Sequence, residues 1–472
     1  MGQKKNNHIR LWVMVIIAVG FLTIGAGFYR NLSANNEETY KGLKIFSDVL
    51  EIIENDYVDT VDTKELVQKA IQGMIRGLDP HSSLLPPEAL EDLQIDSEGE
   101  FPGIGIHITL LNDLVTVISP IEGTPAFKAG IKAKDKIIKI DGVTPKDLRD
   151  AVSKMRGPKG TSVVVTIFRE GATDPIDFTL VRDIIPVKSI KSISIKPGYG
   201  YIWITNFTGN TTEDFIKALD KLESDSVPLK GLILDLRDNG GGLLKQALNI
   251  SDVFLEKGKI LSIEGRHKKN SRVFKAHADK IKRTYPIIVL VNGGSASAAE
   301  IVAGALQDHK RALILGTTSF GKGSVQSVEP LRDGYALKLT IARYYTPSGR
   351  SIQAKGIEPD VVLRHKTIGD ESTYDDGGML KEKDLKNHLN ANPDEEKNDG
   401  ESDSNIIKDK DPETKKGKDK KDGRKKTKMR DFDYRLGPLT IEGLQSDNQV
   451  MHALEILLSY EIFKDRLNNT AD

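Results

Sequence analysis

The sequence predicts a multidomain α/β chain: a layered strand–helix domain, a small β-rich domain inserted ahead of it, N-terminal helices and an apolar N-terminal span. Three observations carry this reading. From about Lys188 onward, apolar strands alternate with helical stretches, the pattern of a layered α/β domain. Residues 98–186 are instead rich in short alternating strands and glycine turns. Between Arg10 and Arg30 there is no charged residue. The 472 residues suffice for two to four domains and a sizeable core.

The uncharged run, residues 11–29, spans about 28 Å as a helix at 1.5 Å per residue, close to a bilayer's hydrocarbon thickness. Lys4, Lys5 and Arg10 precede it, so the positive-inside rule leaves residues 1–10 in the cytoplasm and the rest outside. A cleaved signal peptide, on Leu32-Ser33-Ala34, is the alternative. Residues 35–97 read as helical: Phe46, Val49, Leu50, Ile53 and Tyr57 form one stripe, and Leu66, Ala70, Met74 and Leu78 a second. Such stripes suit packing or a homodimer. At the other end, 29 of the 50 residues in 381–430 are charged and none is aromatic, so the segment 366–430 is expected to stay disordered. Residues 431–466 regain apolar content. There Val450, Leu454, Leu457 and Leu458 predict a helix that docks back on the body.

Composition excludes several chemistries. Lys+Arg and Asp+Glu both number 68, so there is no basic excess of the kind nucleic acid demands. The chain has no cysteine, which removes disulfides, thiolate metal sites and thiol nucleophiles.

In the layered domain, 187–365, strands are expected at Tyr201–Thr205, Gly231–Leu236, Ile287–Val291 and Ala312–Leu315, with helices from Thr212 to Leu222, after Gly242 and from about Ser297. Ligands of such folds sit at strand C-termini, and three strand ends stand out. Asp235–Gly242 follows the first, Asn292–Glu300 the second and Gly316–Gly323 the third. The third nearly matches a phosphate-binding loop, but Gly323 stands where Ser or Thr would hold Mg²⁺, and a strand follows instead of a helix. The second places serines at a helix start, where N–H groups can stabilise an oxyanion. A serine nucleophile needs a base. His309 would lie about 18 Å along the same helix. His81, His107, His267 and His277 show no supporting acid pattern and read as surface or structural residues. A lysine serves if burial lowers its pKa from about 10.4 towards 7–8, which costs roughly 4 kcal/mol. Lys322, between two glycines after a parallel strand, is the candidate. Ser295, in the turn before the helix, reads as its cap. Glu300 reads as a complement to the helix N-terminus, and Asp235 and Arg237 as ion pairs that position the glycine loop.

Two resemblances are specific. Phe101-Pro102-Gly103-Ile104-Gly105-Ile106, then Thr124–Ile131 and Asp135–Gly142, closely resemble a bacterial PDZ domain. The resemblance implies peptide binding: Gly103 and Gly105 would shape the loop that holds a terminal carboxylate, and Ile104 and Ile106 would line the pocket. Ser295–Asp308, Leu315–Gln326 and Ala342–Asp360 resemble the carboxyl-terminal processing peptidases, or tail-specific proteases, of peptidase family S41. That resemblance covers roughly residues 38–365 and implies an α/β protease domain of the crotonase/Clp-protease type. Matched residue by residue, the nucleophile falls on Ser297, the general base on Lys322 and the residue that orients it on Gln326. The oxyanion hole falls on the N–H groups of Ala298 and, within Gly240–Gly242, of Gly241. The spacing of Lys322 and Gln326 would put both on one face of a strand. Arg156 is a candidate regulatory contact with the protease domain, or a plain charge at a helix C-terminus.

The implied activity is a membrane-anchored serine endopeptidase of the bacterial inner membrane, working in the periplasm without metal or other cofactor. Its expected partners are proteins with apolar C-terminal tails, the membrane, a second copy through the terminal helices, and an adaptor or regulator. A catalytically inactive PDZ scaffold is the alternative.

Overall fold

The computed structural model describes residues 37–111, 113–278, 281–368, 379–391 and 439–469. The apolar run 11–29 and the charged stretch 392–430 lie outside them. The chain divides into two units, one ending at Ile75 and one beginning at Arg76.

The first unit is helical. Helix α1 spans 37–56 and α2 spans Thr63–Arg76. Asp62 accepts from the Lys64 and Glu65 N–H groups and so caps α2, while Thr63 donates to Glu54 of α1. The predicted α1 stripe is largely exposed, with Phe46 and Val49 both open to solvent.

In the second unit, β1 (Ser83–Leu85) and α3 (Pro87–Glu98) lead into the small domain. β2 (Glu100–Gly103) pairs with β8 (Asp183–Pro186), closing the domain's two ends on each other. Between them β3 (Ile106–Leu111), β4 (Leu114–Pro120), α4 (Pro125–Ala129), β5 (Lys136–Ile140), α5 (Leu148–Met155), β6 (Ser162–Phe168) and β7 (Ile176–Val181) follow in order. The strands form an antiparallel sheet in sequence order, with β3 at one edge. Alternation sets the core: Val163, Val165 and Ile167 of β6 face inward onto Ala151 and Met155 of α5.

The larger domain continues with β9 (Ile190–Lys196), β10 (Tyr199–Ile204), α6 (Thr211–Glu223), β11 (Gly231–Asp235), α7 (Leu244–Asp252), β12 (Lys259–Gly265), β13 (Arg272–Lys275), β14 (Ile287–Val291), α8 (Ala298–Asp308) and β15 (Ala312–Gly316). Then come β16 (Ser324–Pro330), β17 (Ala336–Tyr345), β18 (Val361–Val362), α9 (Ile441–Gln445) and α10 (Asn448–Asn469). One sheet runs β18-β15-β14-β11-β10-β9, parallel except for β9. A second groups β1, β17, β12, β13 and β16.

The parallel strands are buried on both faces, and alternation divides their side chains between two cores. Leu232, Leu234, Val289 and Val291 meet α7 and α8; Ile233, Ile288 and Leu290 meet Val450, Ala453, Leu454 and Leu457 of α10. The C-terminal helix therefore covers the sheet's second face, as its apolar spacing predicts.

One expectation is corrected. The charged segment was expected to be disordered throughout, yet residues 379–391 are ordered and carry a short 3₁₀ turn at Glu382–Asp384. Composition missed this because the segment folds through buried polar bonds rather than an apolar stripe: Glu382 is fully buried.

Leu457 is 1 % exposed and Tyr460, one turn on, is 52 % exposed. Leu457→Ala should lower stability by about 2–5 kcal/mol, whereas Tyr460→Ala should stay within about 0.5 kcal/mol; urea denaturation of the full chain measures both.

Candidate active site

The site assembles where β14, β11 and β15 end side by side. After β14 the chain turns through Asn292–Ala296 and enters α8 at Ser297, whose φ of 54° and ψ of −112° are strained for a residue with a side chain. Ser295 does not cap α8. Its hydroxyl, fully buried, donates to the Leu236 carbonyl after β11 and accepts from the Asn292 N–H, tying the serine turn to the glycine loop.

Glu300 sits one turn into α8 and is fully buried. Its Oε2 accepts from the Ser297 N–H at 2.8 Å and from the Lys322 N–H at 2.9 Å. Its Oε1 accepts from the Gly321 N–H at 2.7 Å and the Ser319 hydroxyl at 2.5 Å. One carboxylate thus fixes the backbone of both candidate residues. Burial pushes its carboxyl up to about 7, against these four hydrogen bonds, which favour the ionised form. Sequence reasoning saw in Glu300 only a helix-dipole partner, because the loop it grips lies about twenty residues downstream.

Lys322 is half-buried in the loop between β15 and β16. Burial is the main cause that lowers its pKa below the usual lysine range; Lys338 adds to it, and Glu382, Glu300 and Asp79 oppose it. Tyr344 of β17, which the sequence did not suggest, joins the two residues. Its hydroxyl donates to the Lys322 carbonyl and lies near the Ser297 side chain. Burial, then the nearby Glu300, raises this phenol well above its ordinary value, so it stays a neutral hydroxyl.

Gln326 departs from expectation. Lys322 precedes β16 rather than lying in a strand, so strand alternation does not relate its side chain to that of Gln326. The Gln326 amide donates to the Ser324 hydroxyl at 2.9 Å and to Thr340 at 3.2 Å. Thr340 in turn donates to Asp79.

The glycine loop after β11 closes the site. A Cβ on Gly241, at φ +102°, would lie 2.8 Å from the Ser297 Cβ and 3.1 Å from the Ala298 nitrogen, so only glycine fits. The Gly241 N–H donates to Asn239 Oδ1 at 2.9 Å and is engaged in this conformation. Beneath the loop, the Arg237 guanidinium is buried and paired with Asp235 and with Asp447 and Gln449 at the start of α10. Tyr201 donates to the same Asp235. The expected ion pair is present, and it extends to a segment some 210 residues away.

In the small domain, Gly105 at φ +80° lies against Thr124, which donates to its carbonyl. The loop runs straight into edge strand β3, and Ile106 lies at its start. Ile104, expected to line a pocket, is 2 % exposed and belongs to the domain's core. Gly103 lies in β2, opposite Asp183, rather than in the loop. Arg156, at the end of α5, donates to Asp92 of α3 at 2.7 Å and stacks over Phe101, so its partner is the connecting helix.

Comparison with known proteins decides the family. The chain is 46% identical over 377 residues to a carboxy-terminal-processing protease of Bartonella bacilliformis, covering 79% of this chain and 86% of the relative. The chain belongs to the carboxy-terminal processing proteases of peptidase family S41. The Peptidase family S41 model matches residues 198–363, the PDZ domain model 102–180 and the activating protease CtpB N-terminal domain model 27–88. Carboxy-terminal processing protease CtpB of Bacillus subtilis is 35% identical, over 75% of this chain and 78% of its own length. Among solved structures, a photosystem II D1 C-terminal processing protease is 31% identical at a TM-score of 0.40, covering 68% of this chain and 92% of that one. The protein is accordingly a serine-type peptidase with a PDZ domain.

Glu300→Gln would turn an amide donor toward backbone N–H groups that need an acceptor. It should cost about 1–3 kcal/mol of stability and lower kcat by about 10²-fold or more, since ångström-scale misplacement costs that much. Steady-state kinetics beside thermal unfolding of the variant measures the two effects.

Proposed function

We propose that this S41 protease uses Ser297 as nucleophile and Lys322 as general base on the C-terminal tails of proteins that its PDZ domain captures. The observation that carries the reading is the shared grip of Glu300 on the Ser297 and Lys322 backbones, beside a lysine whose ammonium is destabilised by burial. Neutral Lys322 takes the Ser297 proton as the serine oxygen attacks the scissile carbonyl. The resulting oxyanion is met by the Ala298 N–H at the start of α8, aided by that helix's dipole. Lys322 then gives the proton to the leaving amine, and water hydrolyses the acyl-enzyme with the lysine again as base. The Tyr344 hydroxyl holds the Lys322 carbonyl and so helps to place the base. The role of Gln326 is indirect: through Ser324, Thr340 and Asp79 it fixes the strand that follows Lys322.

The Gly241 N–H can serve the hole only after leaving Asn239 Oδ1, so the conformation described is a resting one. In the PDZ domain, a substrate tail would add as a strand to the β3 edge, its carboxylate at the loop around Gly105 and its last side chain near Ile106. The 11–29 span would anchor the chain in the inner membrane with the catalytic domains in the periplasm. The substrates are then periplasmic proteins with apolar tails.

Ser297→Ala and Lys322→Ala should each lower cleavage of an unfolded protein with an apolar C-terminus by at least about 10³-fold; activity surviving either change refutes the mechanism. Because its pKa is lowered, the base becomes neutral below the range of free lysine. The rate should therefore rise with pH along a limb lying below about 10.4 and fall as the ammonium forms.

Amidating the substrate's terminal carboxylate removes the group the PDZ loop would hold. It should raise KM by about tenfold or more, a loss of roughly 1.5–3 kcal/mol, with kcat little changed; an unaltered KM would show that tails are not read by their carboxylate.

A further inference from the structure

Residues 379–391 cross the loop that carries Lys322. The Lys381 ammonium donates to the Thr318 carbonyl at 3.3 Å, and the Glu382 N–H donates to the Phe320 carbonyl at 3.2 Å. The Glu382 carboxylate, itself fully buried, accepts from the Gln353 amide at 2.8 Å on one oxygen. Gln353, also fully buried, accepts the Gly323 N–H at 2.8 Å. The other Glu382 oxygen lies 2.7 Å from His81 Nε2. The strap therefore holds the loop on both sides of Lys322: at Thr318 and Phe320 before it, and at Gly323, through Gln353, after it. Asn387 closes the strap's far end on the Arg76 carbonyl.

We propose that Glu382 is a positioning residue for the general base: it pins the Lys322 loop through Phe320 and Gln353 and brings a buried carboxyl group close to the lysine. The inference rests on the reading of Lys322 as base. A buried amine that loses too much basicity is a poor proton acceptor, so a nearby fixed carboxylate keeps its base strength in a useful range. The charged and titratable groups around Lys322 are Glu382 from the strap, Glu300 from α8, Asp79 before β1, and Lys338 and Tyr344 from β17. Burial and Lys338 weaken the lysine's hold on its proton, and Glu382 is the foremost group opposing them. The Glu382 carboxyl group itself meets His81 and Gln353 and acts on Lys322 through space, while the Lys381 ammonium bonds the Thr318 carbonyl.

Two substitutions in the full-length protein separate charge from reach. Glu382→Gln keeps the side chain's length and removes its charge. The limb of kcat/KM that rises with pH should move to lower pH by roughly 0.5–1 unit, as loss of a neighbouring opposite charge requires. Glu382→Asp keeps the charge and shortens the arm. It should leave the limb close to that of the parent while kcat falls about tenfold through displacement of the lysine, with KM unchanged because Glu382 does not meet substrate. Glu213→Gln, an exposed carboxylate on α6, controls for a general loss of charge. A purely structural role would lower the amplitude without moving the limb. A Gln variant whose limb coincides with the parent's, or an Asp variant with the parent's kcat, overturns the proposal. Full activity of Lys322→Ala would instead overturn the reading on which it rests.

Discussion

The site depends on one buried carboxylate. Ser297 belongs to α8 and Lys322 to the loop after β15, and no covalent constraint keeps those segments in register at the scale catalysis requires. Glu300 supplies it by taking an N–H from each, together with Gly321 and Ser319. A peptide N–H left without an acceptor here would cost about 1–3 kcal/mol, so the loop has one favourable place to sit. Strain is held in the same way. Ser297 adopts a positive φ that costs of order 1–3 kcal/mol, and the bond from its own N–H to Glu300 compensates for it.

Around this centre, the sheet architecture and the terminal segments act together. The parallel strands deliver three loops to one edge, and their buried faces leave no freedom to slide. α10 covers the second face, and the residues at its start, Asp447 and Gln449, grip Arg237 under the glycine loop. The ordered strap grips the lysine loop at Thr318 and Phe320. Segments near the C-terminus are therefore parts of the scaffold of the site, although 63 residues separate Lys381 from Thr318 and 210 separate Asp447 from Arg237.

Much of the fold was legible from periodicity. Strand Ile287–Val291 and strand Ser162–Phe168 appear with the bounds that their apolar runs suggest. The packing of α10 follows from its Val450, Leu454 and Leu457 spacing. Lys322 is legible from the need for a base and Ser297 from the family resemblance, and the structure brings their backbones to one carboxylate. The partners that lie far apart in sequence were not legible. His81 showed no nearby acid because its acid, Glu382, lies 301 residues away inside a segment whose composition signals disorder. Tyr344 sat within a strand pattern and gave no sign that its hydroxyl would turn inward. The spacing of Lys322 and Gln326 implies one strand face only if both lie in a strand, and β16 begins after Lys322. Ile104 was read as a pocket residue because sequence alone does not distinguish a loop side chain that faces the ligand from one that turns into the core.

The arrangement also bears on the proposed use of Lys322 as a base. A neutral amine needs burial, yet three carboxylates stand close enough to favour its protonation. Their oxygens are each already hydrogen-bonded. Glu300 is filled by three N–H groups and one hydroxyl, Asp79 by Ser82, the His81 N–H and Thr340, and Glu382 by Gln353 and His81. Each carboxylate's charge is thereby spread into oriented dipoles, and none offers the ammonium a direct ion pair among the described residues. Burial can then prevail over the residual attraction, which is the direction found for Lys322. The same hydrogen bonds that hold the loop in place keep its lysine from being locked in the protonated state.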